Sequence, residues 1–434
     1  MSDAAKQTVP RQHWYALGLL TAMYTLSSID RNVVSIIAEP LKLEYGLTDS
    51  QLGLLTGAAF ALSFAAVGLP MGLLIDRVNR TKLIAACLAI WSGLTVISGM
   101  AHAFWVLLLA RIGVAGAESC GSPGAMSLIT DYFPRSRRGT AIGIFFTSAP
   151  LGMTLGFAFG GLIAAEWGWR AAFFVAGAPG LILAALMYFT SREPKRGAFD
   201  PIQPGPVVKA SLTAVVGLVW RRRTMLMLLL AAICMILVQA GIGAFISPFL
   251  IRVHDMPLAQ TGLFAAVALG GGGFIGMPLG GMFADRLGRT SAARGQIFVA
   301  ITAVASGIAA IAAFTVSSVL ASMVLLFVYA VVAHLYYGAT FSTYLNVAPA
   351  TVRGTAGALL IVALNLGGYG LGPLLTGGVS DFVNALGIDN SLRWSLVILS
   401  CFYGVGALFF LIASLTINRD LTASEEGEAD VQPA

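Results

Sequence analysis

The feature that most constrains this chain is a series of twelve apolar runs, each about 20 residues or more in length. A helix rises 1.5 Å per residue, so such a run can cross the roughly 30 Å of hydrocarbon in a bilayer. Backbone amides in hydrocarbon must be satisfied internally, and the short alternating strands of a membrane barrel are absent, which leaves helices. The predicted spans are residues 14–37, 51–75, 82–101, 104–130, 140–165, 170–190, 225–251, 259–284, 293–315, 318–345, 355–380 and 394–416.

Charge confirms this class and predicts an orientation. Only 11% of the residues are charged and the mean hydropathy is +0.84, whereas soluble domains carry about 25% charged residues. The net charge of +6 does not indicate nucleic-acid binding, because the basic residues occur in short clusters between spans. Twenty Lys and Arg residues lie on the side of the termini and four on the opposite side. The sequence therefore predicts an all-α, multi-pass protein of the plasma (inner) membrane with both termini cytoplasmic and no cleavable signal peptide.

Two halves of the chain repeat. The pattern Gly-x-x-x-Asp-Arg-x-x-Arg at 72–80 recurs at 281–289, 209 residues later, and Arg-Gly-Thr-Ala at 138–141 recurs at 353–356, 215 residues later. A glycine-rich fifth span follows each Arg-Gly-Thr-Ala. Parallel six-span repeats are typical of transporters. The predicted domains are a cytoplasmic segment 1–13, a six-helix bundle 14–190, a cytoplasmic linker 191–224, a second six-helix bundle 225–417 and a disordered acidic tail 418–434.

The linker opens with proline and charge and then becomes amphipathic. We expect its second part to form a short helix on the cytoplasmic leaflet, as an interfacial anchor or as a regulatory element.

Four charged residues lie within the apolar spans of the first half. Arg111 and Glu118 are seven residues apart in the fourth span, so they project from one helix face about 10 Å apart along its axis. Asp30 and Arg31 lie in the first span. A charge at bilayer depth costs on the order of 3 kcal/mol, so it usually faces a cavity and has a partner. We call these four residues the charged quartet and expect them to form the working centre of a transporter.

The repeated loop motif and Arg111 resemble the major facilitator superfamily over nearly all of residues 12–418. The segments Ser-Ile-Asp-Arg at 28–31, Phe-Trp-x-Leu-Leu at 104–108 and Arg-x4-Gly-Ala-Glu-Ser at 111–119 are similar to the spinster-like transporters. The resemblance implies twelve transmembrane helices in two pseudo-symmetric halves of six, a major facilitator fold, and a monomer. Eukaryotic members of that family export or recycle sphingolipid phosphates and lysophospholipids. The compact loops and short tails here are typical of a prokaryotic member.

The charged quartet suits proton coupling. Proton coupling needs at least one carboxylate that exchanges an arginine partner for a proton when the cavity changes sides. We assign Asp30 and Glu118 as protonation sites that Arg111 tunes, and Arg31 as the partner of an anionic headgroup or of Glu118. Glu118 is then also a substrate-binding residue. The alternative is a static ion-pair network that holds the first and fourth spans together, although buried charge is weak evidence for stability.

The second half lacks these charges. The positions 215 residues after Arg111 and Glu118 are Leu326 and Ala333. The polar substrate-binding candidates in this half are Gln239, His334, Tyr336, Tyr337 and Asn365. Helix-packing hydrogen bonds are the alternative for Gln239 and Asn365, and a packing role is the alternative for His334. A cavity with one charged and one apolar side suits an amphipathic lipid better than a sugar.

The family resemblance assigns a third set of residues to gating salt bridges at the cytoplasmic membrane edge: Asp76, Arg77, Arg80, Asp285, Arg286 and Arg289. Asp131 ends span four beside them, and we expect it to join the same set.

The sequence thus predicts a proton-coupled secondary transporter that moves an amphipathic, lipid-like anion by alternating access. The alternative is a transporter of the same fold for a small organic anion or a hydrophobic drug. The doubled gating motif disfavours a channel or a receptor. No catalytic triad, metal cluster or Walker-type sequence is present, so we expect no enzyme activity, no metal and no cofactor, with the proton gradient as the energy source. The expected partners are the substrate, protons and membrane lipids.

Overall fold

The structure is a computed structural model, and it describes residues 9–199, 212–288, 291–349 and 352–429. The described chain is helical and contains no β-strand. Three π-helical stretches, Leu54–Ala58, Ala266–Gly271 and Asn365–Gly370, join α3 to α4, α13 to α14 and α18 to α19. The α-helices are α1 Arg11–Ile36, α2 Ala38–Tyr45, α3 Asp49–Gly53, α4 Ala59–Ile75, α5 Arg80–Gly99, α6 Phe104–Glu118, α7 Gly121–Tyr132, α8 Arg135–Phe146, α9 Ser148–Trp167, α10 Trp169–Thr190, α11 Leu212–Arg221, α12 Arg223–His254, α13 Leu258–Ala265, α14 Gly272–Gly288, α15 Ala292–Thr315, α16 Val319–Ala333, α17 Tyr336–Val347, α18 Arg353–Leu364, α19 Leu371–Ala385, α20 Ser391–Ser400 and α21 Phe402–Ala429.

The predicted spans correspond to these helices. Eleven helical segments of the described chain are long and apolar enough to cross a membrane, from Asp49–Ile75 to Ser391–Thr422. The first predicted span corresponds to α1, which has 26 residues but is more polar because it contains Asp30 and Arg31. Several spans consist of two helices in series, so that span four is α6 with α7 and span ten is α16 with α17.

The chain forms two compact units. Unit 1 comprises Met1–Gly46, Ala59–Gly205 and Pro257–Ala266, and unit 2 comprises Leu47–Ala58, Pro206–Met256 and Val267–Ala434. Each unit therefore includes a short segment from the other half of the sequence, at the start of span two or of span eight. The predicted six-helix bundles at 14–190 and 225–417 stay a prediction.

Glycines of spans five and eleven allow close helix packing inside each unit. A Cβ on Gly156 would lie 2.9 Å from the carbonyl oxygen of Ile29 on α1. A Cβ on Gly368 would lie 2.5 Å from Cγ2 of Ile236 on α12. The glycine-rich patterns of the two halves thus bring span five against span one in unit 1 and span eleven against span seven in unit 2, as small residues do in membrane bundles.

Two segments outside the spans, the linker and the C-terminal tail, can be compared with their predicted structures. The helix α11 lies within the predicted amphipathic part of the linker, with Val215 and Val219 buried and Trp220 exposed. The last helix continues to Ala429, so residues 418–429 are helical, which corrects the predicted disordered tail over that stretch. The remainder of that tail lies outside the described residues, as does the linker over 200–211.

Candidate functional site

The four residues of the charged quartet lie on two helices of unit 1. Asp30 and Arg31 are near the end of α1, and Arg111 and Glu118 are on α6. The two carboxylates and two guanidinium groups form two ion pairs between these helices. The predicted partnership of spans one and four is therefore present in the structure, and each helix contributes one acid and one base.

The first pair is Asp30 with Arg111. Arg111 Nη1 donates a hydrogen bond to Asp30 Oδ1 at 2.9 Å and lies 2.7 Å from Oδ2. The Thr95 hydroxyl on α5 donates a further hydrogen bond to Oδ1 at 2.8 Å. Both charged side chains are nearly inaccessible, with 2% and 3% of their surface exposed. The pair is buried, and side chains of three helices form it. We call Asp30 and Arg111 the sealed pair.

The second pair is Arg31 with Glu118, and it is open on one side. Arg31 Nε donates to Glu118 Oε2 at 2.8 Å, and Nη2 lies 2.7 Å from the same oxygen. The Glu118 side chain is 1% exposed, whereas that of Arg31 is 34% exposed. The other carboxylate oxygen, Oε1, is buried and has no hydrogen-bond partner among the described residues. The pair thus combines a buried carboxylate oxygen of Glu118, which can accept a proton, with an Arg31 guanidinium group that is accessible from outside.

Aromatic rings of span two lie against the open face of this pair. The guanidinium carbon of Arg31 lies 4.6 Å from the ring centroid of Phe60 and 5.5 Å from that of Phe64. The two rings are stacked with centroids 6.2 Å apart. A cation over an aromatic face is attracted by the ring quadrupole. The ring pair therefore positions Arg31 and places an apolar surface next to it.

Glu118 is the last residue of α6, and span four is interrupted there before α7 begins at Gly121. Span ten is interrupted in the same way, with α16 ending at Ala333 and α17 beginning at Tyr336. Both positions are 215 residues after their counterparts in span four. The interruption is thus part of the repeat, and the two halves differ in the side chains that they place there.

The break in span ten is bound by polar side chains. Gln239 Nε2 donates to the carbonyl oxygen of Ala333 at 2.7 Å, and the Tyr337 hydroxyl lies 3.4 Å from Gln239 Oε1. His334 Nδ1 donates to the carbonyl of Ala330 at 2.7 Å, and its ring stacks on that of Tyr337 at 5.8 Å. These groups satisfy backbone carbonyls that the interruption leaves without helical partners.

The remaining candidates of the second half lie in different surroundings. Tyr336 is buried, and its ring contacts that of Tyr337 at 4.5 Å. Asn365 donates to the carbonyl of Ile361, four residues earlier in the same span, at 2.9 Å. The structure therefore brings Gln239, His334, Tyr336 and Tyr337 together, while the side chain of Asn365 bonds locally.

The gating candidates of the first half differ from one another in burial. Asp76 and Arg77 are exposed, whereas Arg80 is 2% exposed. Arg80 Nη1 lies 2.5 Å from Asp131 Oδ2, and its Nε lies 2.7 Å from Glu193 Oε1. The structure therefore joins Arg80 to Asp131, as part of the predicted set, and adds a partner from the linker.

Linker residues complete this cluster. Glu193 also accepts hydrogen bonds from the Thr81 backbone and hydroxyl, and Arg196 donates to the carbonyls of Ile75, Asp76 and Val78. Burial acts to raise the pKa of the Glu193 carboxyl, but hydrogen bonds from Thr81 and Arg80 outweigh it and hold that pKa below its ordinary value. The first residues of the linker are thus docked on the loop motif.

In the second half, Arg286 is exposed. The Asp285 side chain and the whole of Arg289 lie outside the described residues. The gating role of this copy stays a prediction.

Sequence reasoning missed the residues that support the site. Thr95 and Phe60 are ordinary in apolar spans and gave no signal. Glu193 and Arg196 occur in a charged, proline-containing stretch that was interpreted as a linker, and their charge was the signal available.

The model of the family described as "Major Facilitator Superfamily" matches residues 20–368. The fold is similar to the crystal structure of a bacterial homologue of the human lysosomal transporter Spinster in an inward-facing, unoccupied conformation. The TM-score is 0.86 at 30% sequence identity, over 94% of this chain and 98% of the other.

Two relatives extend the comparison. An "MFS-type efflux pump" of Mycolicibacterium smegmatis is 27% identical over 425 residues, which cover 97% of each chain. The "Sphingosine-1-phosphate transporter SPNS2" of Danio rerio is 25% identical over 447 residues, covering 96% of this chain and 88% of the relative.

Proposed function

Because this chain belongs to the major facilitator superfamily and, within it, to the spinster-like transporters, we propose that it is a proton-coupled carrier of an amphipathic, lipid-like anion. It is a multi-pass membrane transporter for a small substrate and not an enzyme. The proposal concerns the coupling ion, the chemistry of the substrate and the orientation. We also propose that the protein is a monomer, that it works by alternating access and that both of its termini lie on the cytoplasmic side.

The observation that carries the proposal is the unequal exposure of Arg31 and Glu118. An anionic substrate can reach the 34% exposed guanidinium of Arg31, whereas Glu118 is 1% exposed. In the proposed step Arg31 turns from Glu118 to the anion. Glu118, buried and without its arginine partner, then takes a proton on a carboxylate oxygen and becomes neutral, because burial disfavours an unpaired charge. Release of the anion reverses both changes.

The sealed pair has a second role in this proposal. The Asp30 carboxylate is buried, and Arg111 and the Thr95 hydroxyl bind it, so solvent does not reach it in this arrangement. We therefore assign the first proton to Glu118 and treat Asp30 as a second acid whose pairing with Arg111 follows the conformation of spans one and four.

The amphipathic substrate is supported by what lies beside Arg31. The stacked rings of Phe60 and Phe64 offer an apolar surface next to the cation, which suits a headgroup joined to a hydrocarbon chain. One relative is named as a sphingosine-1-phosphate transporter, and sphingosine-1-phosphate is a molecule of this kind. A lysophospholipid or a sphingolipid phosphate fits the same description.

A small organic anion or a hydrophobic drug is the second candidate. A guanidinium binds any carboxylate or phosphate, so Arg31 alone does not require a lipid chain. One relative is named as an efflux pump, and this name does not specify a lipid, so the second candidate stays open.

Proton flux in proteoliposomes separates these candidates. Wild type is compared with Glu118→Gln, Asp30→Asn and Glu166→Gln, the last being the matched change at an exposed residue. A lysophospholipid and a small organic acid are offered in turn. We expect lipid-dependent proton uptake that Glu118→Gln abolishes and Glu166→Gln retains. Substrate movement without proton flux, equal in all variants, would contradict coupling, and flux with the organic acid alone would favour the second candidate.

A further inference from the structure

Four buried polar groups of unit 2 have no hydrogen-bond partner among the described residues. They are the hydroxyls of Tyr336, Thr340 and Tyr344 on α17 and the side-chain oxygen Oε1 of Gln296 on α15. All four residues are 0% exposed. We call these four groups the polar row. Buried polar groups in native proteins bond to other protein atoms or to ordered water, so a cluster of four requires an explanation.

The three hydroxyl residues of the polar row share one face of α17. They follow one another at intervals of four residues, so each is turned by only about 40° from the one before and lies about 6 Å further along the axis. The hydroxyls of Tyr336, Thr340 and Tyr344 therefore follow one line along the helix.

Gln296 extends this line onto the neighbouring helix. Its Nε2 donates a hydrogen bond to the Thr343 hydroxyl on α17 at 2.9 Å, and α15 packs against α17. This bond fixes the amide beside the polar row. Its Oε1 adds an acceptor to hydroxyls that can each donate and accept, so the row offers both kinds of hydrogen-bonding group.

The unpaired hydroxyl of Thr340 is unusual for a threonine inside a helix. Such hydroxyls commonly bond to the carbonyl oxygen four residues earlier. Thr376 donates to the carbonyl of Gly372 in this way at 2.8 Å, and Thr25 and Thr95 form equivalent bonds at 2.9 Å. Within the described chain the Thr340 hydroxyl has no such bond, so its capacity to donate and accept is left for another ligand.

The polar row runs from the break in span ten to the far part of α17. Tyr336 is the first residue of α17 and follows the break, where Gln239 binds the carbonyl of Ala333. At its other end α17 stops at Val347, whose carbonyl accepts a hydrogen bond from Arg222 in the predicted cytoplasmic linker. A hydrogen bond between two oxygens spans about 2.8 Å, so one or two water molecules cover the distance between successive positions of the row.

We propose that ordered water molecules bind along α17 between the groups of the polar row and form a file from the break in span ten towards the predicted cytoplasmic side. A buried water makes about three hydrogen bonds, and the hydroxyls and the Gln296 oxygen supply them. The file brings water to the break, where it can take over backbone hydrogen bonds when span ten bends. This site belongs to unit 2 and does not depend on the charged quartet of unit 1.

X-ray footprinting of the full-length protein in lipid nanodiscs tests the file and needs no substrate. A short X-ray pulse converts water into hydroxyl radicals, which oxidise adjacent side chains, and mass spectrometry then measures the oxidation rate of each tyrosine. Tyr329 and Tyr403 are internal controls, because they are 2% and 0% exposed and their hydroxyls bond each other at 2.9 Å. We expect Tyr336 and Tyr344 to be oxidised several times faster than these two.

Variants of Thr340 connect the oxidation to the polar row. Thr340→Val keeps the shape of the side chain but removes the hydroxyl, so it should slow the oxidation of Tyr336 and Tyr344 several-fold, whereas Thr340→Ser should retain it. Thr376→Val, the same change at a buried threonine whose hydroxyl bonds its own helix, should leave both rates as in wild type.

Two results would overturn the water file. One is oxidation of Tyr336 and Tyr344 in wild type at the rate of Tyr329 and Tyr403, a comparison that requires no variant to fold. The other is an unchanged rate at both tyrosines in Thr340→Val. Loss of the proposed proton coupling would not alter these rates, so the two proposals fail separately.

Discussion

Nη2 of Arg31 lies 2.7 Å from Oε2 of Glu118, and the arginine is the member of the pair that can be reached, at 34% exposure against 1%. A guanidinium offers several donors in a fixed plane, and here two nitrogens contact the same carboxylate oxygen while the group lies over Phe60. An ammonium group reproduces the charge of this arrangement but not its plane.

Arg31→Lys should therefore weaken anion binding without removing it. We expect the KM for transport of the anion to rise about tenfold, or about 1.4 kcal/mol, because a lysine loses the two-point contact and the stacking. Arg11→Lys, the same change at the exposed start of α1, is the control. The concentration dependence of uptake into proteoliposomes measures both, and an unchanged KM in Arg31→Lys would remove this residue from substrate binding.

The sealed pair makes a different prediction, about stability. Removing one partner of a buried ion pair leaves an uncompensated charge and costs about 3–5 kcal/mol, so Asp30→Asn and Arg111→Gln should each lower the unfolding temperature strongly. The double variant should lose less than the sum of the two. The two single variants and the double variant form a double-mutant cycle, which thermal unfolding in detergent measures. Additive losses of stability would show that the two side chains are not coupled.

An exposed pair in the same unit is the reference for that cycle. Arg170 Nη2 lies 2.6 Å from Glu44 Oε1, with the side chains 34% and 39% exposed. Exposed ion pairs contribute about 0–1 kcal/mol, so Glu44→Gln should have a small effect at neutral pH.

The sequence predicted the spans and the charged quartet for one reason, the contrast between apolar runs and isolated charges. It did not predict which acid pairs with which base, because one residue along a helix is a rotation of about 100° and the relative rotation of α1 and α6 is set by packing. The interruption at Glu118 was also missed, since the residues that follow it, Ser119 and Cys120, are compatible with a continuous helix.

The linker illustrates a further limit. Glu193 docks on Arg80 through charge and hydrogen bonds, with no periodic apolar pattern around it to indicate a fixed position. The amphipathic part of the same linker was predicted because α11 has such a pattern.

Arg77 and Arg80 lie in one loop motif, but the same substitution should destabilise the protein at Arg80 and have little effect at Arg77. Arg80→Ala removes a buried cation and deprives Asp131 of its ion-pair partner. We therefore expect a loss of about 3–5 kcal/mol in the free energy of unfolding. Arg77→Ala, at an exposed site, should remain within about 0.5 kcal/mol of wild type. Unfolding in detergent measures both losses, and equal effects would contradict a special role for the buried contact.

Glu193 should make stability depend on acid. Its pKa in the folded chain is below the ordinary value of about 4.3, so its contribution is fully present above that ordinary value and is lost as the pH falls through the lowered pKa. The difference in unfolding free energy between wild type and Glu193→Gln should therefore be constant from about pH 8 to about pH 5.5 and should shrink below about pH 4. Glu166→Gln, the same change at an exposed glutamate, is the control variant. A wild-type advantage that grows as the solution is acidified would have the opposite sign, and it would mean that the docked linker is held by contacts other than the charge of this carboxylate.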